Sequence, residues 1–441
     1  MSFPRYPEYK DSGVEWLGEV PGHWNVGSAR WLTRRYSGGT PDKTKLDYWE
    51  NGTIPWLNSG AVNDRLITEP STFISEEAFA NSSAKWIPKG ALVMALAGQG
   101  KTKGMVAQLG IPSTCNQSMA AIIPSCAIDA RFLFWWLDAN YQNIRNMAGG
   151  DLRDGLNLEL LGNIQCPLPA PSEQTQIAAF LDRETAKIDT LVAEQRQLMA
   201  LLKEKRQAVI SHAVTRGLNP DVPMKPSGIE WLGDVPEHWV VSSIKRFADT
   251  ITDGAHVSPE TENGVYPFVS TKDVGDDSID FDSCLRTSTT SFEFMVRSGC
   301  QPLVGDVLFS KDGTIGRTVV VMEERDFVVA SSLIIIRPDN SSLDSFFLNY
   351  LCQSNVVVSQ VESFVKGAGL PRLSIQNLLK VIGCFPPLAE QRVIAAFLQL
   401  EMSKFDTLTT EAQRAIDLLQ ERRTALISAA VTGQIDVRGA V

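Results

Sequence analysis

The chain has 441 residues, 44% of them hydrophobic, enough for two or three domains with real cores. A formal net charge of −10 and a sequence pI of about 5.1 argue against nonspecific electrostatic attachment to nucleic acid. The opening MSFPRYPEYKDSG has no apolar run of a signal peptide, and no stretch is long enough to span a bilayer. Seven cysteines without C-x-x-C spacing point to reduced thiols rather than disulfides or zinc, so the expected location is the cytoplasm.

Residues 1–24 are punctuated by Trp and Pro and read as an extended strap, with Trp16, Leu17 and Trp24 packing onto a neighbouring element. From 25 to 170, short β-like runs alternate with turn signals: Gly38-Gly39-Thr40-Pro41, then Asp47 to Val62, then Lys89 to Gly110. Ala91 to Ala97 and Met119 to Pro124 read as strands bounded by Gly and Pro, and Arg131 to Asn146 as a helix. An α/β or α+β domain follows.

Beyond a Pro-rich approach (Pro167, Pro169, Pro171), the stretch from Glu173 to about Leu218 has no Gly or Pro before Gly217. Ile177, Leu181, Ile188, Leu191, Leu198, Leu202 and Val209 recur at spacings built from threes and fours, which predicts a long helix with a coiled-coil seam. At 1.5 Å per residue, about 43 residues make a rod of roughly 65 Å. Ser172 is the expected N-cap and Gly217 the expected stop.

The pattern then returns. Ser12 to Trp24 (SGVEWLGEVPGHW) reappears as SGIEWLGDVPEHW at Ser227 to Trp239, and the helix from Glu173 reappears from Glu390, 217 residues on and without gaps. In the second domain, Ile251 to Val274 stands for the GGTP and IPW elements, Gly305 to Val321 for Lys89 to Gln108, and Val328 to Pro338 for Ser113 to Pro124. The expected organisation is therefore a strap and domain at 1–170, a long helix at 171–218, a second strap and domain at 219–388, and a second long helix at 389–434. A period this long signals tandem pseudo-symmetry rather than a solenoid.

Most motifs for chemistry fail. Ala95 to Thr102 resembles a phosphate-binding loop, but Ala95 replaces the required first Gly, and Lys103-Gly104 stand where a helix should begin. No His/Cys/Asp/Glu cluster has metal-ligand spacing, and there is no G-x-S-x-G, dinucleotide-binding fingerprint or N-P-P-[YF] loop. No catalytic residue, metal or cofactor is assigned. The helices are more informative: charged Glu184 and Lys205 occupy expected seam positions, as do Glu401 and Arg422 in the repeat. Antiparallel packing about a pseudo-twofold axis would pair Glu184 with Arg422 and Lys205 with Glu401, setting register and orientation.

Taken together, the duplicated domain-plus-helix layout, the EQ-x-x-IAAFL helix starts just after Pro, GGTP…YW…G-x-IPW in the first domain, and DG-x-H, F-x-S-T-K-D-V and LFSKDGTIG in the second resemble the specificity (S) subunit of type I restriction–modification systems, over essentially the whole chain. The resemblance implies an α+β architecture: two tandem α/β target-recognition domains, separated and joined by two long antiparallel coiled-coil helices in a pseudo-twofold repeat. It also implies a non-catalytic, DNA-binding subunit. Each domain would read one half of a bipartite asymmetric target in double-stranded DNA, while the helices set the spacer and dock two methyltransferase (M) subunits. Restriction (R) subunits would join them, and S-adenosylmethionine, ATP and Mg would sit on the partners, leaving no cofactor on this chain and no membrane contact.

Reading bases requires donors and acceptors on loops, with phosphate contacts fixing register. The first domain offers Thr40, Lys43, Lys45, Asn58, Ser59, Gln99, Lys101, Thr102, Lys103, Asn116 and Gln117, and the second His256, Ser270, Thr271, Lys272, Lys311, Thr314, Arg317, Ser331 and Ser332. Their charge backgrounds differ: 13 basic against 12 acidic residues between Asn25 and Ala170, but 12 against 18 between Val240 and Leu388. An acidic subunit of this kind needs basic partners for tight binding. The alternative is a non-DNA coiled-coil adaptor with two protein-binding domains; a self-contained methyltransferase-nuclease lacks both of its constellations.

Overall fold

The computed structural model describes residues 3–98, 100–147, 155–262, 264–275, 277–365 and 372–439. Its contacts group the chain into two units, Met1–Gln195 with Arg414–Val441, and Arg196–Gln413. The expected boundaries separate domains from helices, whereas these contacts assign a stretch of each long helix to each unit.

In unit 1, the central strand Leu92–Ala95 lies between Met119–Pro124 and Val106–Leu109 in a five-stranded sheet, with Thr33–Ser37 and Leu66–Ile67 at its edges. Both faces of this strand are covered, which explains an uninterrupted apolar run instead of an alternating one. Leu92 and Met94, with Ala120 and Ile122, face a core that includes Phe132, Trp136, Ile177 and Leu181. Val93 and Ala95, with Met119 and Ala121, face a second core containing Leu57 and Cys115, on a three-stranded sheet of Thr114–Cys115, Ile54–Leu57 and Thr72–Ile74. The expected helix at 131–146 is two helices, α1 (Ala130–Ala139) and Tyr141–Asn146, divided at Asn140.

Unit 2 repeats this plan. Val307–Ser310 lies between Leu333–Pro338 and Thr318–Val320, with Ala248–Asp253 beyond, and a smaller sheet joins Leu285–Thr287, Tyr266–Val269 and Val328–Val329. Val307 and Phe309 face the larger core, and Leu308 faces the smaller one.

The two long helices are α2 (Pro171–Arg216) and α4 (Leu388–Val431); α3 (Ser345–Gln353) is the unit 2 counterpart of α1. α2 starts on Pro171 rather than after a Ser172 cap, at the position where a missing N–H is harmless and a fixed φ helps. Gly217, at φ 77°, follows its end. The helices run antiparallel within each unit. In unit 1, Ile177 and Leu181 share a core with Ile427 and Val431, while Asp189 meets Arg423 further along. In unit 2, Ile210 and Val214 pack with Ile394 and Leu398, while Arg206 meets Asp406.

The seam departs from the expected one. Ile177, Leu181 and Ile188 are buried, but Leu191 and Leu198 are 44% and 42% exposed, and Val192 and Ile210 are buried one position later. A helix of 3.6 residues per turn drifts away from a strict 3.5 repeat, so the contact stripe moves on by a residue. The expected register pairs do not form. Glu184 bonds Lys187 and Arg183 on its own helix, Glu401 bonds Lys404, and Lys205 and Arg422 are exposed. Their neighbours Arg206 and Arg423 make the cross-helix pairs instead.

Each strap clamps the start of a long helix. Tyr6 Oη donates to Glu173 Oε1 at 2.7 Å, and His23 Nε2 lies 2.9 Å from Glu173 Oε2. In the repeat, His238 Nε2 lies 2.7 Å from Glu390 Oε2, and Trp239 Nε1 donates to Oε1 at 3.2 Å. Trp24 and Trp239 are buried as expected of strap residues; Trp16 remains 49% exposed but stacks on Trp136. Gln174 completes the clamp. Its Oε1 accepts from Asp129 N at 2.6 Å, and its Nε2 donates to Pro169 O at 2.9 Å and Ala127 O at 3.2 Å. Gln391 does the same with Asp344 N, Pro386 O and Ser342 O, each at 2.9 Å. The repeated Glu-Gln pair is thus the joint between strap, domain and helix.

Candidate nucleic-acid interface

In each unit three of the candidate loops, those at Thr40, Asn58 and Gln117 and those at His256, Ser270 and Ser331, start where the two sheets join, and the same backbone pattern fixes both sets. Gly39 N donates to Cys115 O and Asn116 N to Leu57 O; Ala255 N donates to Val329 O and Ala330 N to Val269 O. This pairs Thr40 with His256, Asn58 with Ser270 and Gln117 with Ser331. The crossing is so close that a Cβ on Gly38 would collide with the Cys115 carbonyl, and one on Gly254 with that of Ala330. That close approach is why both copies carry Gly there.

In unit 1 the structure brings Thr40 and Gln117 together through a side-chain hydrogen bond. Asn58 Oδ1 accepts from Gly60 N at 2.8 Å with Ser59 beside it, and Asn116 Oδ1 accepts from Ser118 N at 3.1 Å, so both asparagines hold turns. Lys43 is exposed, and Lys45 is exposed with its ammonium 4.8 Å from the Tyr48 ring centroid; its hydrogen bond to Tyr48 Oη holds its pKa above the usual lysine value. The glycine loop departs at Leu96, whose N donates to Ser118 O at 2.8 Å. Arg145 Nη2 donates to Gly100 O at 2.6 Å and Tyr141 Oη to Lys101 O at 2.5 Å, fixing the loop from below. Lys101 is exposed, Thr102 half-buried and Lys103 buried; Gln99 lies outside the described residues.

Unit 2 places Lys311 differently from expectation. Its N donates to Ser332 O at 2.9 Å and Leu373 N donates to its O, the pattern made by Leu96 with Ser118 and Leu156 in unit 1. The counterpart of Lys311 is therefore Leu96. Its side chain is 3% exposed, with Nζ 2.7 Å from Asp253 Oδ2, which also receives His256 Nε2 at 2.9 Å. Ser270 Oγ donates to Asp273 at 2.8 Å, Ser332 Oγ accepts from Thr271 N at 3.3 Å, and Arg317 Nη1 donates to Val274 O at 2.9 Å. Ser331 is half-buried at the sheet junction. Lys272, Thr314 and the ring of His256 remain exposed.

Sequence reasoning missed the buried Asp253–Lys311 pair because a lysine after a strand and before Gly reads as a loop cation. It also missed Tyr6, Gln174 and Gln391, although the repeated Glu-Gln doublet was their signal. Among the described residues, no group of three or more His, Cys, Asp or Glu could hold a metal ion, and no helix is long and apolar enough to cross a membrane.

Comparison with known proteins converges on one family. The family model described as the type I restriction modification DNA specificity domain matches residues 35–199 and again 236–417. The type I restriction enzyme EcoR124I/EcoR124II specificity subunit of Escherichia coli is 28% identical over 52% of this chain and 49% of its own length, so that match spans about half of the relative. The MjaIX specificity subunit of Methanocaldococcus jannaschii is 23% identical over 98% of this chain and 97% of its own. A solved structure described as the basis of complex assembly and conformational transition of the type I R-M system superposes with a TM-score of 0.72 at 18% identity, over 94% of this chain and 99% of the other. The HsdS subunit from Thermoanaerobacter tengcongensis gives 0.54 at 17% identity, over 94% and 98%.

Proposed function

Because this chain belongs to the type I restriction modification DNA specificity family, we propose that it is the sequence-reading subunit of such a complex, with each domain reading one half of a bipartite target in double-stranded DNA. The observation that carries this reading is the pair of equivalent sheet junctions, from which loops run out to exposed Lys43, Lys101 and Gln117 in one unit and to exposed His256, Lys272 and Thr314 in the other. The scaffold beneath them is the same, and the exposed side chains are not, as two related readers of different half-sites require. Catalysis and the cofactors S-adenosylmethionine, ATP and Mg belong on methyltransferase and restriction partners. Helices α2 and α4 set the unread spacer and dock two methyltransferase subunits. Partners also answer the charge problem, because a subunit of net charge −10 gains most of its phosphate contacts from them.

Modified-base sequencing of a host carrying the cognate methyltransferase, with and without this gene, tests the reading. The expected result is a gene-dependent adenine-methylation signal at two short blocks separated by a fixed unread gap. Absence of any new motif, with the complex verified by co-purification, refutes it.

A further inference from the structure

In unit 1, two cations share one aromatic ring at the edge strand Thr33–Ser37. The Arg34 guanidinium lies 5.6 Å from the Tyr36 ring centroid, and the Lys85 ammonium lies 5.8 Å from it. Tyr36 is itself pinned, its Oη donating to Trp86 O at 2.5 Å. Arg34, Lys85 and Trp86 are exposed, and among the described residues none of the three side chains has a hydrogen bond or an ion pair. The ring attracts both cations, but their mutual repulsion is left without a carboxylate to relieve it. An anion bound across them would supply that relief.

The cluster adjoins the junction loops. Gly39 packs so closely on the segment before Lys85 that a Cβ there would lie 2.3 Å from Ser83 Oγ and 2.5 Å from Ala84 N. Lys85 and Trp86 therefore continue a segment that touches the turn carrying Thr40. Unit 2 has nothing comparable. Its sheet register equates Arg34 with Thr250 and Tyr36 with Thr252. The matching turns at Gly90 and Gly305 equate Lys85 with Cys300 and Trp86 with Gln301. Cys300 is buried and Gln301 Nε2 donates to Asp326 Oδ1 at 3.2 Å, so none of the four positions carries a cation.

We propose that Arg34, Lys85 and the indole N–H of Trp86 form a phosphate clamp peculiar to unit 1, gripping the DNA backbone beside the half-site that its junction loops read. The proposal rests on the DNA-reading role argued above and adds a division of labour within it: both units read bases, and unit 1 also anchors. All three groups only donate, which suits phosphate oxygens, since these only accept. Held against a pinned ring, the two cations lose less freedom on binding than cations on free side chains. The charge backgrounds agree, with 13 basic against 12 acidic residues around this clamp and 12 against 18 in the corresponding stretch of unit 2.

The test uses the complete complex with its methyltransferase subunits, and fluorescence anisotropy on duplexes with and without the methylated target across a salt series. R34Q/K85Q is expected to reduce the slope of log K against log salt by about 2. It is expected to weaken target and non-target duplexes by the same factor and to leave the methylated motif unchanged. R34K/K85R, which keeps both charges, is expected to retain the slope. A wild-type complex that methylates a split motif, with a slope that R34Q/K85Q does not change, overturns the clamp and leaves the reading role standing. Loss confined to the target duplex would make these residues base readers, and loss of methyltransferase co-purification at an unchanged slope would make the patch a protein contact; either overturns the clamp. A wild-type complex that binds no DNA overturns the clamp and the reading role together.

Discussion

Asp189 Oδ1 lies 2.8 Å from Nε of Arg423, joining the two long helices within unit 1, and the 217-residue offset maps this pair onto Asp406 and Arg206, which join them within unit 2. The acid and the base have exchanged helices, as a pseudo-twofold repeat demands. Asp189 is more than half exposed, so the pair is worth little in stability: a double-mutant cycle with alanine at 189 and 423 is expected to give a coupling of about 0.2–1 kcal/mol. The same cycle on Glu184 and Arg422 is expected to give none, and a coupling there as large as at 189 and 423 contradicts the observed register.

Gln391 satisfies three backbone groups from inside the joint of unit 2. Gln391→Leu keeps the volume and strands all three, at a cost of about 1–3 kcal/mol for each that water does not reach. Urea unfolding is expected to show a loss of about 3 kcal/mol or more, and Gln174→Leu a similar one in unit 1. A loss under about 1 kcal/mol at both sites would mean that the joint is not the anchor described.

Lys311→Leu alone leaves Asp253 as a partly buried carboxylate facing only His256, and is expected to destabilise by about 3 kcal/mol. Adding Asp253→Ser reproduces Ser37 and Leu96 of unit 1, the residues at the matching strand positions, and is expected to restore most of the loss. No recovery in the double variant would show that the pair is not the cause.

Lys101 is the exposed cation of its loop, and in the assembled complex Lys101→Ala is expected to weaken DNA binding and reduce the salt-dependence slope by about 1, the release of one phosphate's counterion. The stabilised Lys311→Leu/Asp253→Ser variant serves as the control, with an unchanged slope, because Lys311 is buried. Fluorescence anisotropy across a salt series reads both.

Burial pushes the thiols of Cys115, Cys166, Cys352 and Cys384 up to about 12 from an ordinary value of about 9. The folded state holds these protons more tightly than the unfolded chain. Its stability is therefore full below pH 9 and is lost as pH rises from there toward 12, by roughly 1 kcal/mol per thiol per pH unit once the unfolded thiols ionise. The urea midpoint is expected to stay level from pH 7 to 8.5 and fall above 9. At pH 8, a thiol reagent is expected to label one cysteine rapidly, the exposed Cys126, and Cys126→Ser to remove that phase.

The repeat was legible in the sequence because it is written in long-range identity: the straps around Trp24 and Trp239, the Glu-Gln doublets and the helix runs recur at fixed offsets. Helix length followed from the absence of Gly and Pro over Glu173–Arg216, and the central strands from apolar runs of the right length. These are local properties, decided by backbone sterics and the hydrophobic period.

What only the tertiary structure decided lies one residue away from the local pattern. Whether Glu184 or Asp189 meets the opposite helix depends on the accumulated rotation of a 3.6-residue helix, and a drift of one position replaces Lys205 with Arg206. Whether Lys311 is a surface cation or the buried partner of Asp253 depends on which strand end it follows, and its counterpart proves to be Leu96. Sequence period determines which elements form, because that is settled within a few residues. Which side chains meet is settled by packing between elements far apart in the chain.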